Sequence, residues 1–194
     1  MRIGVLALQG AVAEHIRCIE ACGAEGVAIK RVHQLDEIDG LIIPGGESTT
    51  IGKLMREYDF IDAIRGFSAA RKPVFGTCAG LIVIAKRIAG QDWAHLGLMD
   101  MTVSRNAFGR QRESFETDLD VKGIEGKVRA VFIRAPLITE TGPDVDILST
   151  YNGQIVAARQ DHLLATSFHP ELTDDVRIHE YFLDMVQAGL SMNR

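Results

Sequence analysis

Residues 76–80 of the chain read Gly-Thr-Cys-Ala-Gly and lie between an apolar run at 73–75 and a helix-like run at 81–86. A cysteine between glycines at a strand-to-helix boundary has the form of a nucleophile elbow, a sharp turn that presents the side chain at its apex. Glycines flank the apex because a Cβ there would collide with the neighbouring strand and helix. The pattern predicts that the thiol of Cys78 attacks a carbonyl carbon. A lone free cysteine more often fills a small apolar space, so the prediction depends on finding its partners.

The thiol needs a base, because an unperturbed cysteine with a pKa of about 8.5 is only a few per cent thiolate at neutral pH. Among the six histidines, His169 is the best candidate, since it ends an apolar strand-like run and precedes Pro170. Glu171 follows two residues later, and residues i and i+2 of an extended segment point to the same side. Glu171 is therefore predicted to orient the imidazole of His169, which makes Cys78, His169 and Glu171 a triad by role.

Attack on an amide also creates an oxyanion that needs hydrogen-bond donors. The backbone N–H of Ala79 directly follows the nucleophile and is one natural donor. Gly45 and Gly46 belong to a glycine loop that can approach closely, so their N–H groups are predicted as second donors. One such donor lowers a barrier by roughly 2.7–4 kcal/mol.

The first half of the chain alternates strand and helix. Short apolar runs predict strands at 3–8, 26–30, 41–43 and 73–75, and helical periodicity predicts helices at 13–22, from 48 or 49 through 55, and at 60–70. Ser48 or Thr49 is the predicted cap of the second helix. This order implies a mostly parallel sheet with helices on both faces, a three-layer α/β fold. Ligands bind beyond the carboxyl ends of such strands, where the loops at 9–10, 44–48 and 76–80 fall.

The second half has a different pattern. Between 97 and 167 the apolar runs are short and broken by Gly, Asn, Asp and Pro, which predicts antiparallel strands or hairpins added to the same sheet. A last helix is predicted at 174–187. No linker or repeat interrupts the chain, so residues 1–194 are predicted to form a single domain.

Composition narrows the function classes. The chain has 194 residues and a net charge of −5, which argues against nucleic acid as the main partner. It shows neither a membrane-spanning apolar run nor the layout of a signal peptide. Three cysteines do not suggest a disulfide framework, so a reducing cytoplasm is the expected compartment.

Other chemistry-bearing residues favour packing roles. His15, Cys18 and Cys22 share one face of a predicted helix, but three ligands from one helix without a fourth nearby indicate packing rather than a zinc site. The remaining four histidines have no partner pattern and are predicted to lie on the surface; they are His33, His95, His162 and His179.

The chain resembles the class I glutamine amidotransferases, through the elbow at 76–80, the Pro-Gly-Gly loop at 44–46 and His-Pro-Glu at 169–171. Within them it is most similar to the glutaminase subunits of pyridoxal 5'-phosphate synthase. The matching segments run from residue 3 to residue 173; they are Ile-Gly-Val-Leu at 3–6, Leu-Gln-Gly-Ala at 8–11, Pro-Gly-Gly-Glu-Ser-Thr-Thr at 44–50, Arg-Asn-Ala-Phe-Gly-Arg-Gln at 105–111, Phe-Ile-Arg-Ala-Pro at 132–136 and Ser-Phe-His-Pro-Glu-Leu-Thr at 167–173.

The resemblance implies hydrolysis of L-glutamine through a γ-glutamyl thioester on Cys78. The ammonia would pass to a synthase subunit that makes pyridoxal 5'-phosphate, and docking of that subunit would complete the oxyanion hole and activate the glutaminase. No metal or organic cofactor is implied for this subunit. The residues that the resemblance places around the glutamine are Gly46, Glu47, Ser48, Arg105, Ile133 and Arg134.

Three alternatives stay open on the sequence. The chain could be the glutaminase of another class I amidotransferase, such as imidazole glycerol phosphate synthase, although the 105–111 and 132–136 segments favour the vitamin B6 pathway. A cysteine protease or chaperone of similar architecture commonly has His directly after the cysteine, where this chain has Ala79. A non-catalytic binding module would be expected to have lost part of the triad.

Overall fold

The first half of the chain alternates strands and helices, as predicted. The computed structural model describes residues 1–105 and 114–193. The elements up to residue 84 are β1 (Arg2–Leu6), α1 (Val12–Ala21), β2 (Glu25–Ile29), β3 (Gly40–Ile43), α2 (Ser48–Glu57), α3 (Phe60–Ala69), β4 (Val74–Thr77) and α4 (Ala79–Ile84). A 3₁₀ helix at Val32–Glu37 connects β2 to β3.

The second half is built mainly from strands. They are β5 (Ala85–Ile88), β6 (Met99–Ser104), β7 (Ser114–Asp120), β8 (Lys127–Ile133), β9 (Leu137–Thr141), β10 (Asp146–Tyr151), β11 (Gln154–Gln160) and β12 (Leu163–Thr166). A 3₁₀ helix at Pro170–Leu172 follows β12, and α5 (Arg177–Met192) ends the fold. The last helix begins three residues later than predicted and ends five residues later.

Ten strands form one sheet in the order β2-β1-β3-β4-β12-β11-β9-β6-β5, with β10 paired to β11. Strands β2, β1, β3, β4 and β12 are mutually parallel, whereas β12–β11, β11–β9, β9–β6 and β10–β11 are antiparallel. The predicted mostly parallel sheet with added antiparallel strands is confirmed.

One hairpin does not join this sheet. Among the residues that the structure describes, strands β7 and β8 pair only with each other, so the expectation that the added strands all extend one sheet is wrong for them. The reason is their one-sided burial: Val128, Ala130 and Phe132 alternate with more exposed residues along β8. That apolar face packs into the same core cluster as Phe182 of α5, so the hairpin covers the sheet instead of widening it.

The core lies on both faces of the sheet, because successive residues of a strand point to opposite sides. On β3, Leu41 and Ile43 pack in one cluster with α2, α3 and α4, whereas Ile42 packs in the other with α1 and α5. The three layers predicted from the sequence are present. No helix of the described residues is long and apolar enough to span a membrane.

The pairing of β4 with β12 positions the site. The two strands are parallel and adjacent, and Thr77 is in register with Thr166. The chain therefore leaves both strands at the same edge of the sheet, one residue before Cys78 and three before His169. The prediction that His169 reaches the edge where the elbow lies is confirmed.

Candidate active site

Cys78 occupies the turn between β4 and α4 in a conformation that side chains rarely adopt. Its φ is +52° and its ψ is −110°, and a non-glycine residue in this region is strained. A Cβ added at Gly76 would collide with the backbone carbonyl of Gly80, and one added at Gly80 would collide with that of Ile43. The flanking glycines therefore allow the tight approach that the sequence predicted for an elbow.

His169 is held by a buried carboxylate. Its Nδ1 lies 2.6 Å from Oε1 of Glu171, whose side chain is fully buried. A carboxylate only accepts hydrogen bonds, so Nδ1 carries the proton and Nε2 is the ring nitrogen that remains for Cys78, which lines the same cavity. The backbone N–H of His169 also donates to Val131 of β8 at 2.8 Å. The hairpin that covers the sheet thus helps to position the imidazole.

These contacts determine the charge of the imidazole. Burial by itself would lower the pKa of His169, but the hydrogen bonds with Cys78 and Glu171, together with their negative charges, raise it to about 10. A protonated imidazole stabilises a neighbouring thiolate. The carbonyl oxygen of Ile133 lies 3.8 Å from the Cys78 sulfur and accepts a weak hydrogen bond from the neutral thiol.

The glycine loop after β3 closes over the two side chains. Gly45 lies against both, because a Cβ added there would be 2.7 Å from Cε1 of His169 and 3.2 Å from Cβ of Cys78. Gly46 has a φ of +144°, which favours glycine. Oε1 of Gln9 accepts a hydrogen bond of 2.7 Å from the N–H of Glu47 and so holds this peptide. Gln9 was not among the predicted site residues, although its loop lies at the predicted sheet edge.

The start of α2 differs from the prediction in its cap. The side chain of Glu47, not that of Ser48 or Thr49, caps the helix by accepting hydrogen bonds from the N–H and hydroxyl of Thr50 at 3.3 and 2.7 Å. The hydrogen bonds from Thr50 hold the pKa of Glu47 below its usual range. Ser48 is the first helical residue, is 5% exposed and lines the site region.

A cavity of about 460 Å³ opens above these residues. All but one of the predicted site residues line it; they are Gly46, Glu47, Ser48, Cys78, Ala79, Arg105, Ile133, Arg134 and His169, joined by Ile82 and Pro136. The exception is Glu171, which lies behind His169. Since Ala79 begins α4, its N–H has no acceptor within the helix.

Arg105 brings a positive charge to this cavity. One terminal nitrogen donates to the hydroxyl of Thr49 at 3.3 Å, while Nε and Nη2 are buried and have no hydrogen-bond partner among the described residues. Two such donors suit a planar anion such as a carboxylate. Arg134 has a left-handed φ of +46°. The rest of the predicted 105–111 segment lies outside the described residues.

Two of the four histidines predicted on the surface are in fact buried. His179 is fully buried in α5 and His95 is 3% exposed, whereas His162 is half-buried and His33 is exposed. Helical periodicity alone cannot show that a histidine on an amphipathic helix faces the core. His15 and Cys18 are buried on α1, and no group that could hold a metal ion occurs in residues 1–105 and 114–193.

Residues 5–188 match the SNO glutamine amidotransferase family. The chain belongs to this family.

Named relatives agree with this assignment over nearly the whole chain. A protein of Niallia circulans named pyridoxal 5'-phosphate synthase subunit PdxT is 77% identical over 189 residues, covering 97% of this chain and 100% of the relative. A protein of the same name from Geobacillus thermodenitrificans is 60% identical over 193 residues, covering 100% and 99%.

Solved structures share the fold. A crystal structure described as a glutamine amidotransferase superposes with a TM-score of 0.91 at 46% identity, covering 95% of this chain and 98% of that one. A structure of PurLQS from Thermotoga maritima has a TM-score of 0.70 at 16% identity, covering 94% and 97%. The second similarity concerns the fold only.

Proposed function

We propose that this chain is a glutaminase, the subunit of pyridoxal 5'-phosphate synthase that releases ammonia from L-glutamine, and that residues 1–194 form one glutaminase domain. The observation that carries the proposal is that Cys78 and His169, with Glu171 bonded to His169, line a cavity that Arg105 also lines. The family and the names of its relatives agree with this activity.

Glutamine binding involves Arg105 as well as the residues around Cys78. The guanidinium of Arg105 binds the α-carboxylate of glutamine through Nε and Nη2, which have no partner among the described residues, because a guanidinium forms paired charge-assisted hydrogen bonds with a carboxylate. The segments around Gly46–Ser48 and Ile133–Arg134 surround the rest of the substrate. The side-chain amide then reaches Cys78.

The first half-reaction forms a thioester. The thiolate of Cys78 attacks Cδ of glutamine, and the negative charge that develops on the amide oxygen is stabilised by the N–H groups of Ala79 and Gly46. His169, protonated beside Glu171, donates its Nε2 proton to the amide nitrogen. The C–N bond breaks, ammonia leaves, and a γ-glutamyl thioester remains on Cys78.

The second half-reaction regenerates the thiolate. The now neutral His169 takes a proton from a water molecule, whose oxygen attacks the thioester carbon. The same two N–H groups stabilise the second oxyanion, the C–S bond breaks, and the product leaves with a γ-carboxyl group that releases its proton to solvent to give glutamate. Cys78 returns to the thiolate and His169 to its protonated form. Each proton is passed through Nε2 because Glu171 keeps the other ring nitrogen bonded at 2.6 Å.

The ammonia is delivered to a synthase subunit, and the two form a hetero-oligomer in which docking activates the glutaminase. This part of the proposal is supported by the word "subunit" in the names of the relatives and by the resemblance of the six sequence motifs. The N–H of Glu47 donates to Gln9, and this bond holds the glycine loop in its present conformation. A partner that contacts the loop can therefore change which of its N–H groups face the cavity.

The test is a glutaminase assay with and without the pyridoxal 5'-phosphate synthase subunit. We expect ammonia release to rise strongly when the partner is added, and to disappear in Cys78→Ala but not in the matched variant Cys22→Ala. Cys22 is partly buried next to α1 and bonds only weakly, to the carbonyl of Val176 at 3.8 Å. Absence of glutamine hydrolysis in both conditions would overturn the proposed activity, and equal rates in both would overturn the proposed activation.

A further inference from the structure

A buried polar column continues behind the triad, away from the cavity. His15 of α1 and His179 of α5 are both fully buried, as are Thr77 of β4 and Glu171. Nδ1 of His15 lies 2.9 Å from Nε2 of His179, and Nε2 of His15 lies 3.3 Å from the hydroxyl oxygen of Thr77. The same Nε2 is 3.5 Å from Oε2 of Glu171.

Oε2 of Glu171 has its nearest possible hydrogen-bond donor in this column. Its other oxygen, Oε1, is bonded to His169, but Oε2 is buried and has no hydrogen-bond partner among the described residues. The contact of 3.5 Å between Oε2 and Nε2 of His15 is longer than an ordinary hydrogen bond, and the same Nε2 lies 3.3 Å from the hydroxyl oxygen of Thr77. A three-centre N–H that points between the two oxygens satisfies both distances. A buried carboxylate needs such a donor because leaving it unpaired is costly.

The positions of the protons follow from the partners. If Nδ1 of His15 carried the proton, its Nε2 lone pair would face the carboxylate of Glu171, and His179 would be left with a buried Nδ1–H. Nδ1 of His179 has no partner in the part of the chain that the structure describes, and a buried donor without an acceptor is unfavourable. With the proton on Nε2 of both rings, His179 donates to His15, and His15 donates toward Thr77 and Glu171.

The ring of His15 is neutral in this arrangement. Burial, followed by the charges of His179 and His169, lowers the pKa of His15 well below its usual range. Burial, followed by the charge of Arg17, lowers the pKa of His179 to about 4. Arg17 also donates to the backbone carbonyl of Glu171 at 3.3 Å, so it is the charged group that faces this segment from α1. A neutral imidazole has one N–H donor and one acceptor nitrogen. The hydrogen bonds of the column therefore all point the same way, from His179 to His15 and from His15 toward Glu171.

We propose that His15 is a positioning residue for glutamine hydrolysis: its Nε2–H holds the buried carboxylate of Glu171 in the orientation that binds His169, and His179 fixes the tautomer of His15. The proposal rests on the glutaminase function proposed above. His15 does not line the cavity, so its proposed effect reaches the reacting atoms through Glu171, which binds His169. Without its N–H, the carboxylate turns or binds His169 less well, and the imidazolium loses part of what keeps its pKa high.

Two amide substitutions separate this role from packing. In His15→Gln the side-chain NH₂ lies near the position of Nε2 and can still donate to Glu171, whereas in His15→Asn it lies near Nδ1 and faces His179. Both variants remove the ring. With the synthase subunit present, we expect His15→Asn to lower kcat roughly tenfold to a hundredfold with little change in KM, and His15→Gln to stay within about threefold of the unmodified chain.

The pH profile supplies a readout that packing does not move. The alkaline limb of kcat/KM reports loss of the His169 proton, so it should move to lower pH in His15→Asn and stay near its original position in His15→Gln. His33→Asn, a change at an exposed histidine, is the control and should leave both kcat and the limb unchanged. Equal losses in the Gln and Asn variants, or an alkaline limb that does not move in His15→Asn, would overturn the proposal.

Nuclear magnetic resonance of the unmodified, ¹⁵N-histidine-labelled chain tests the same idea without any variant or activity assay. We expect His15 to remain neutral with its proton on Nε2 between about pH 6 and 8, the range around the ordinary histidine pKa. A proton on Nδ1 would overturn the proposal even if both variants failed to fold. If the unmodified complex hydrolysed no glutamine, the glutaminase function would fail, while the resonance of His15 would still decide the direction of the column.

Discussion

A methyl group added at Gly45 should disable the site without unfolding the chain. The Cβ of an alanine at this position would lie 2.7 Å from Cε1 of His169 and 3.2 Å from Cβ of Cys78. Non-bonded carbon atoms pack at about 3.5–4.0 Å, so the imidazole or the loop must move by roughly 0.8 Å or more. Gly45→Ala is therefore expected to displace the imidazole of His169 relative to the thiol of Cys78.

The imidazole cannot absorb this displacement at no cost. His169 is bonded to the fully buried Glu171 at 2.6 Å, and only 12% of its own side chain is exposed. A misplacement of about 1 Å in an active site can cost on the order of 100-fold in rate. At about 1.36 kcal/mol for each factor of ten, this corresponds to about 2.7 kcal/mol of barrier. We expect kcat of Gly45→Ala to fall about 100-fold, with a smaller change in KM because Arg105 is untouched.

The assay is ammonia release from glutamine in the complex with the synthase subunit, paired with thermal unfolding. Gly66→Ala is the matched control, because Gly66 is exposed on α3 and an added Cβ would have no described atom within 4 Å outside its own chain neighbours and helix backbone. It should keep full activity and gain about 0.5–1 kcal/mol in stability. If Gly45→Ala keeps kcat within threefold, or loses it only in parallel with a collapse of the melting temperature, the steric argument is refuted.

Three further expectations follow from other groups. Arg105→Ala should raise KM for glutamine roughly tenfold or more with little change in kcat, since it removes the carboxylate partner; an unchanged KM contradicts this role. A glutamine-analogue affinity label should modify Cys78 and spare Cys18 and Cys22, because burial raises the pKa of both other thiols, that of Cys22 to about 11; peptide mass spectrometry that finds label on all three argues against it. Burial lowers the pKa of His95 to about 4 against about 6.5 unfolded, so the unfolded chain binds more protons between these values. Relative to His95→Gln, the free energy of unfolding in urea should therefore fall by roughly 1 kcal/mol per pH unit below about 6.5, and parallel pH slopes for the two chains would exclude this linkage.

The first half of the fold was predictable because its signals are local. Strands such as β3 are short, apolar and ended by Pro44-Gly45, and parallel strands buried on both faces read as continuous apolar runs. The elbow was predictable for a similar reason. Only glycine fits at positions 76 and 80, since the backbone approaches there too closely for a Cβ.

The second half was less predictable because its pairings are long-range. The hairpin of β7 and β8 has strand-like sequence, but which surface it covers depends on the apolar face of α5, which is distant in the chain. The same limit applies to His179, which was predicted on the surface and is buried. A histidine on an amphipathic helix satisfies the periodicity of either face, and only its neighbours decide between core and solvent.

Some features of the candidate site follow from the sequence alone, and others follow only from the tertiary structure. The sequence determined by itself the residue types and their local spacing: a cysteine between glycines, and a carboxylate two residues after a histidine. The tertiary structure alone decided that β12 lies beside β4, which joins Cys78 to His169 across 91 positions of the chain. It also placed Gln9 on the glycine loop and His15 behind Glu171. The physical reason is that the residue type sets the charge and length of a side chain. Which residue that side chain contacts depends on which distant parts of the chain are buried against each other.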